Sequence, residues 1–147
     1  MPKAVSPGAF PSRVGLDQTR ISFIQRAQLV KAGGAEEVFV MDLGLAGVFV
    51  ERATPLPPGE RVHIRFPLPG NEIPVTAACR VAWWHEAAAL LTSKSLPAGL
   101  GLEFVDLPES DRNRIREYLR EHFRRNPRAR QFARPWPSSA SQGEDDP

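Results

Sequence analysis

In the stretch RVHIRF, Arg61 to Phe66, Val62, Ile64 and Phe66 alternate strictly with Arg61, His63 and Arg65. A Pro-Pro-Gly run precedes it, and Pro67, Pro69, Gly70 and Asn71 follow. A period of two makes one face apolar and the other wet, which suits a strand and not a helix. The flanking runs allow only a short element entered and left by turns. Other stretches read the same way. Ile21 to Val30 mixes β-branched and aromatic residues with Ser22, Gln25, Arg26 and Gln28. Val38 to Met41 and Val48 to Val50 are short β-rich runs, Pro74 to Trp84 is longer and mostly apolar, and LPAGLGLEFVDL alternates Leu100, Leu102 and Phe104. Strands at regular spacing with Gly/Pro turns between them predict a mainly β protein, an antiparallel sheet that closes or nearly closes into a small barrel.

After Leu107 the period changes. PESDRNRIREYLREHFRR places Ile115, Tyr118, Leu119 and Phe123 at helical spacing and charged residues on the other faces, with Pro108 and Ser110 where a helix start would want them. This predicts one C-terminal amphipathic helix packed on the barrel. A chain of 147 residues has room for one core. Residues 1–18, with three prolines, two glycines and few apolar side chains, read as a flexible arm, residues 19–125 as barrel plus helix, and residues 126–147 as a disordered Arg/Pro/Ser-rich tail.

The formal net charge of +2 does not argue for nucleic acid. The single Cys79 lies in an apolar run and reads as a small buried hydrophobe in a reducing compartment. The N-terminus lacks the apolar core of a signal peptide, and no window approaches the 18 or so apolar residues of a membrane span, so a soluble cytoplasmic protein is expected. His63, His85 and His122 are far apart without metal-ligand spacing, and no serine lies in a nucleophile elbow. No catalytic residue, metal or cofactor is therefore expected, and the chain does not read as an enzyme.

The run VFVMDLGLAGVFV interrupts two strand-like segments with Asp42, Gly44 and Gly47. Asp42 can accept hydrogen bonds from a guanine edge or fix a nearby arginine, and glycines let backbone N–H groups approach a phosphate or base. On these residues alone a structural bend is the simpler reading. Trp83 and Trp84 must point to opposite faces if the strand is regular, and Trp84 is the candidate for an exposed ring on a partner surface. Arg124 and Arg125 belong to a basic stretch that runs into the tail, with Phe132 and Trp136 near its end. They are candidates for the same surface. Nucleic-acid binding through the tail is a weaker alternative, and its affinity would fall steeply with salt.

Taken in order, Arg20 leading into the first strand, DLGLAG about twenty residues later, PLPPGERVHIRFPLPG, VAWW and PAGLGLEFVDLPESDRNRIREYL resemble a PilZ domain over approximately residues 20 to 120. The resemblance implies a six-stranded antiparallel β-barrel with a C-terminal helix, working as a bacterial cyclic di-GMP receptor or adaptor module. In such domains an RxxxR motif before the first strand clamps phosphates and stacks on guanine, and a [D/N]xSxxG loop contacts the bases. Arg20 matches the second arginine, but Leu16 stands where the first should be. Asp42 and Gly47 match the loop, but Gly44 replaces its serine. The candidate ligand residues are Arg20, Asp42, Gly44 and Gly47, with Arg13 on the same arm as a replacement cation. These departures predict a regulatory adaptor that acts by contact with a protein partner and binds cyclic di-GMP weakly or not at all. The alternative is a functional cyclic di-GMP receptor that uses Arg20 and the Asp42–Gly47 loop.

Overall fold

The computed structural model describes residues 19–86 and 97–128 and the backbone of 134–135. The strands are β1 (Thr19–Lys31), β2 (Gly34–Gly44), β3 (Gly47–Glu51), β4 (Arg61–Phe66), β5 (Val75–His85) and β6 (Gly99–Asp106). Helix α1 (Glu109–Arg125) and a two-residue strand, β7 (Arg134–Pro135), follow. Every pairing is antiparallel, in the order β2-β3-β6-β5-β4-β1, and a β2–β1 ladder closes six strands into a barrel. Strand β7 is added at the start of β1. Arg13 and Leu16 on the arm, and Phe132 and Trp136 in the tail, lie outside the described residues.

Local chemistry explains the elements. β4 alternates exposed and buried residues along its whole length, with Val62, Ile64 and Phe66 inward. β1 and β2 are joined by Ala32 and Gly33, and the φ of 98° at Gly33 is a conformation that side chains with a β-carbon rarely adopt. Leu29, Val40, Leu43, Val48, Val50, Leu100 and Leu102 fill the interior. Helix α1 contributes Ile115, Leu119 and Phe123, and burying a side chain of this size stabilises the fold by about 1.5–3 kcal/mol. Tyr118 meets Phe23 edge-on at 5.4 Å, and Arg114 donates to the carbonyls of Ile73 and Pro74, which ties the helix to the β4–β5 connection. Pro108 occupies the N-cap without a side-chain cap, and Ser110 lies inside the first turn, so acidic Glu109 and Asp111 are what complement the N-terminal dipole.

Cys79 is fully buried, and burial pushes its thiol up to about 12. A thiolate-directed reagent at pH 8 is expected to leave the folded protein unlabelled and to modify it in guanidinium, read by intact mass. Labelling of the folded protein at the rate of an exposed thiol would contradict this placement.

Candidate functional site

Asp42 and Gly44 lie within strand β2, and Gly47 opens β3, so Leu45 and Ala46 alone connect the two. Leu45 is buried in the core, and the Ala46 carbonyl accepts the Phe104 N–H at 2.8 Å, which anchors the turn on both sides. A register shift between Val40 and Asp42 marks a bulge at Met41. Beyond it, Leu43 faces the core and Asp42 the outside of the barrel.

The outer face is built by cross-strand register. Ser22 pairs with Asp42, Asp42 with Phe49, Phe49 with Gly101, and Gly101 with Trp83. Directly opposite residues share a face, so these five make a row across β1, β2, β3, β6 and β5. Phe49 and Trp83 stack at 5.3 Å between centroids with 21° between planes, and His85 meets Phe49 edge-on at 6.1 Å. Arg20, opposite Gly44, sends its guanidinium to 3.5 Å from the Asp42 carboxylate and 5.7 Å from the Trp83 ring centroid.

Three glycines make this packing possible. A β-carbon on Gly44 would lie 2.5 Å from the Thr19 carbonyl oxygen. On Gly101 it would run into the Trp83 indole, and on Gly99 into the Val50 carbonyl oxygen and the Phe49 ring. Gly44, Gly99 and Gly101 thus form a floor over which the start of β1, Trp83 and Phe49 lie.

Arg20 and Asp42 are only 8% and 2% exposed, Phe49 is fully buried and Trp83 is 7% exposed. None of Arg20, Asp42 and Trp83 is without a partner. The face is closed in this conformation. Its chemistry is a planar cation, a carboxylate and an aromatic plane, a set suited to hydrogen bonding and stacking of planar polar rings. Among the described residues no cluster of His, Cys, Asp and Glu could hold a metal ion, and no helix is long and apolar enough to cross a membrane.

The structure brings together Arg20, Asp42, Gly44 and Gly47, the last opposite Glu103, while Arg13 is outside the described residues. The two tryptophans divide differently from the expectation for a regular strand. A register shift between Val81 and Trp83 puts Trp84 opposite Leu100, half-buried against the core, and turns Trp83 to the outer face. Arg124 and Arg125 are exposed at the end of α1, and both pair with Glu121. Exposed pairs of this kind contribute little stability. Sequence reasoning missed Phe49, Gly99 and Gly101 as parts of the face. The available signal was AGLGLEF, where glycine falls on alternate, outward positions of a strand.

A family model described as PilZ domain matches residues 17–121. No curated protein matches the chain in sequence. Among solved structures, the Bacillus subtilis inhibitor of motility MotI/DgrA is similar at TM-score 0.60 and 15% identity, over 73% of this chain and 50% of that one. The chain thus spans half the length of that protein. The PilZ domain of YcgR from Escherichia coli, solved with cyclic di-GMP, is similar at TM-score 0.55 and 17% identity, over 77% of this chain and 94% of that one. At these identities the likeness is one of fold.

Proposed function

Because this chain belongs to the PilZ domain family, we propose that it is a non-catalytic regulatory module of bacterial cyclic di-GMP signalling. It acts by contact with a protein partner, in the cytoplasm, in a pathway such as motility, polysaccharide or virulence control. Its own affinity for cyclic di-GMP is weak. The observation that carries this reading is the Thr19 carbonyl oxygen 2.5 Å from where a β-carbon on Gly44 would be. The serine that the family's loop motif has at this position cannot be accommodated unless β1 moves. Leu16 removes a second contact, and Arg13 is the remaining candidate to replace it.

Charge-assisted hydrogen bonds contribute about 1.5–3 kcal/mol each and neutral ones about 0.5–1.5 kcal/mol. If a complete site binds at about 1 μM, losing one of each weakens binding by roughly 30- to 2,000-fold. Calorimetry on the full chain is therefore expected to give a dissociation constant above about 30 μM for cyclic di-GMP. A low-micromolar value abolished by Arg20→Ala would favour the receptor reading instead. The convergence of Arg20, Asp42 and Trp83 on one face, and the YcgR domain's capture with cyclic di-GMP, support that second reading.

A further inference from the structure

Arg20 lies between two strands. On one side it pairs with Gly44 of β2, and on the other with Arg134 of β7, whose next residue, Pro135, pairs with Thr19. The two neighbours are unequal. The β1–β2 ladder runs from Arg20–Gly44 to Lys31–Gly34 and closes the barrel, so separating those strands would open the whole fold. Strand β7 is two residues long, and among the described strands its backbone pairs with β1 alone.

A dinucleotide needs the Arg20 guanidinium and the Asp42 carboxylate within reach, yet these side chains are 9% and 2% exposed. Something next to Arg20 must move first, and among the described elements the one that can leave without dismantling the barrel is β7. We propose that β7 is a removable strand that holds the Arg20–Asp42–Trp83 face shut, so that pairing of the C-terminal tail with β1 and binding of cyclic di-GMP exclude one another. This rests on the second reading under Proposed function, in which that face takes cyclic di-GMP.

Two consequences follow from competition. The apparent affinity of the full chain is the intrinsic affinity reduced by the fraction of molecules with the tail released. The coupling is also reciprocal, so a partner that takes the released tail tightens ligand binding by the same factor by which ligand favours that partner. Such a partner would meet a tail of mixed charge, with Arg128, Arg130 and Arg134 in its first half and Glu144, Asp145 and Asp146 near its end.

The test uses the full chain. Thr19→Cys/Pro135→Cys places two thiols at directly paired positions, where an antiparallel ladder brings side chains close enough for a disulfide. The native thiol, Cys79, is fully buried and does not interfere. A second full-length variant, Arg134→Gly/Pro135→Gly, weakens the pairing, and circular dichroism checks that both keep the barrel. Calorimetry with cyclic di-GMP is expected to show at least a tenfold loss of affinity on oxidation of the cysteine pair, reversed by reductant. The glycine variant should bind at least tenfold more tightly than wild type. Equal affinity in the oxidised and reduced forms, or a glycine variant no tighter than wild type, overturns the proposal. If wild type and glycine variant are equally weak, tail competition fails while the weak-binding adaptor reading stands. If wild type binds at low micromolar concentration and the locked form is silent, that reading fails while tail competition stands.

Discussion

Gly101→Val is expected to lower the stability of the protein by about 3 kcal/mol, at the upper end of what overpacking a tight site costs. Any β-carbon at this position meets the Trp83 indole, with the ring carbon Cδ2 at 2.6 Å, and valine adds two more carbons behind it. The ring has little room to yield. It is stacked on Phe49, and Phe49 is itself opposite Gly101 and fully buried. At about 4 °C per kcal/mol for a domain of this size, the melting temperature should fall by roughly 12 °C, and the near-ultraviolet dichroism of the tryptophans should change with it. A control such as Glu117→Ala, on an exposed helical pair, should move the melt by less than about 2 °C. If Gly101→Val melts like that control, the Phe49–Trp83 stack does not lie over Gly101 in solution.

The contrast between β4 and this face shows what a sequence carries. The alternation in RVHIRF is legible because one face of β4 is wet and the other dry, so each side chain reports its own environment. The helix is legible for the same reason, since Ile115, Leu119 and Phe123 repeat at its period. Asp42 and Gly44 read as turn residues because aspartate and glycine usually are. Here they extend β2, and the reason is a contact distant in sequence, the Thr19 carbonyl lying against Gly44. The tryptophan pair fails to read for a related reason. Parity along a strand assigns faces only while the strand is regular, and β5 shifts register after Val81. At that point Gly59 donates to the Val81 carbonyl and Glu60 accepts from its N–H, so the loop before β4 bonds to the bulged strand. β7 has no period to read at all, because a two-residue pairing leaves no pattern in an Arg- and Pro-rich segment. What was legible of the site was its charged and turn-like residues. Its aromatic plane and glycine floor were not, because both are defined by neighbours across strands.

Asp42→Ala should be the most damaging single change on the outer face. The carboxylate is 2% exposed and lies 3.5 Å from a guanidinium that is 9% exposed, so its removal leaves a largely desolvated arginine short of its counter-charge. Removing one partner of a buried pair typically costs about 3–5 kcal/mol. The expected fall in melting temperature is roughly 12–20 °C. Removing both charges should be gentler, because an apolar side chain of similar length does not require solvation. Arg20→Met/Asp42→Ala is therefore expected to recover at least half of the loss, read as a positive coupling in a double-mutant cycle. If Asp42→Ala costs less than about 1 kcal/mol, the pair behaves as a surface ion pair and the face is open to water in solution. The cycle also governs how ligand experiments are read. Arg20 and Asp42 are the residues that the proposed receptor reading assigns to cyclic di-GMP, and here they also hold the start of β1 against β2 and Trp83. A loss of binding in either single variant reports a lost ligand contact only when its melting curve shows the barrel intact. In the double variant, where fold and ligand contacts are separated, restored stability without restored binding would assign these side chains to recognition as well as to packing.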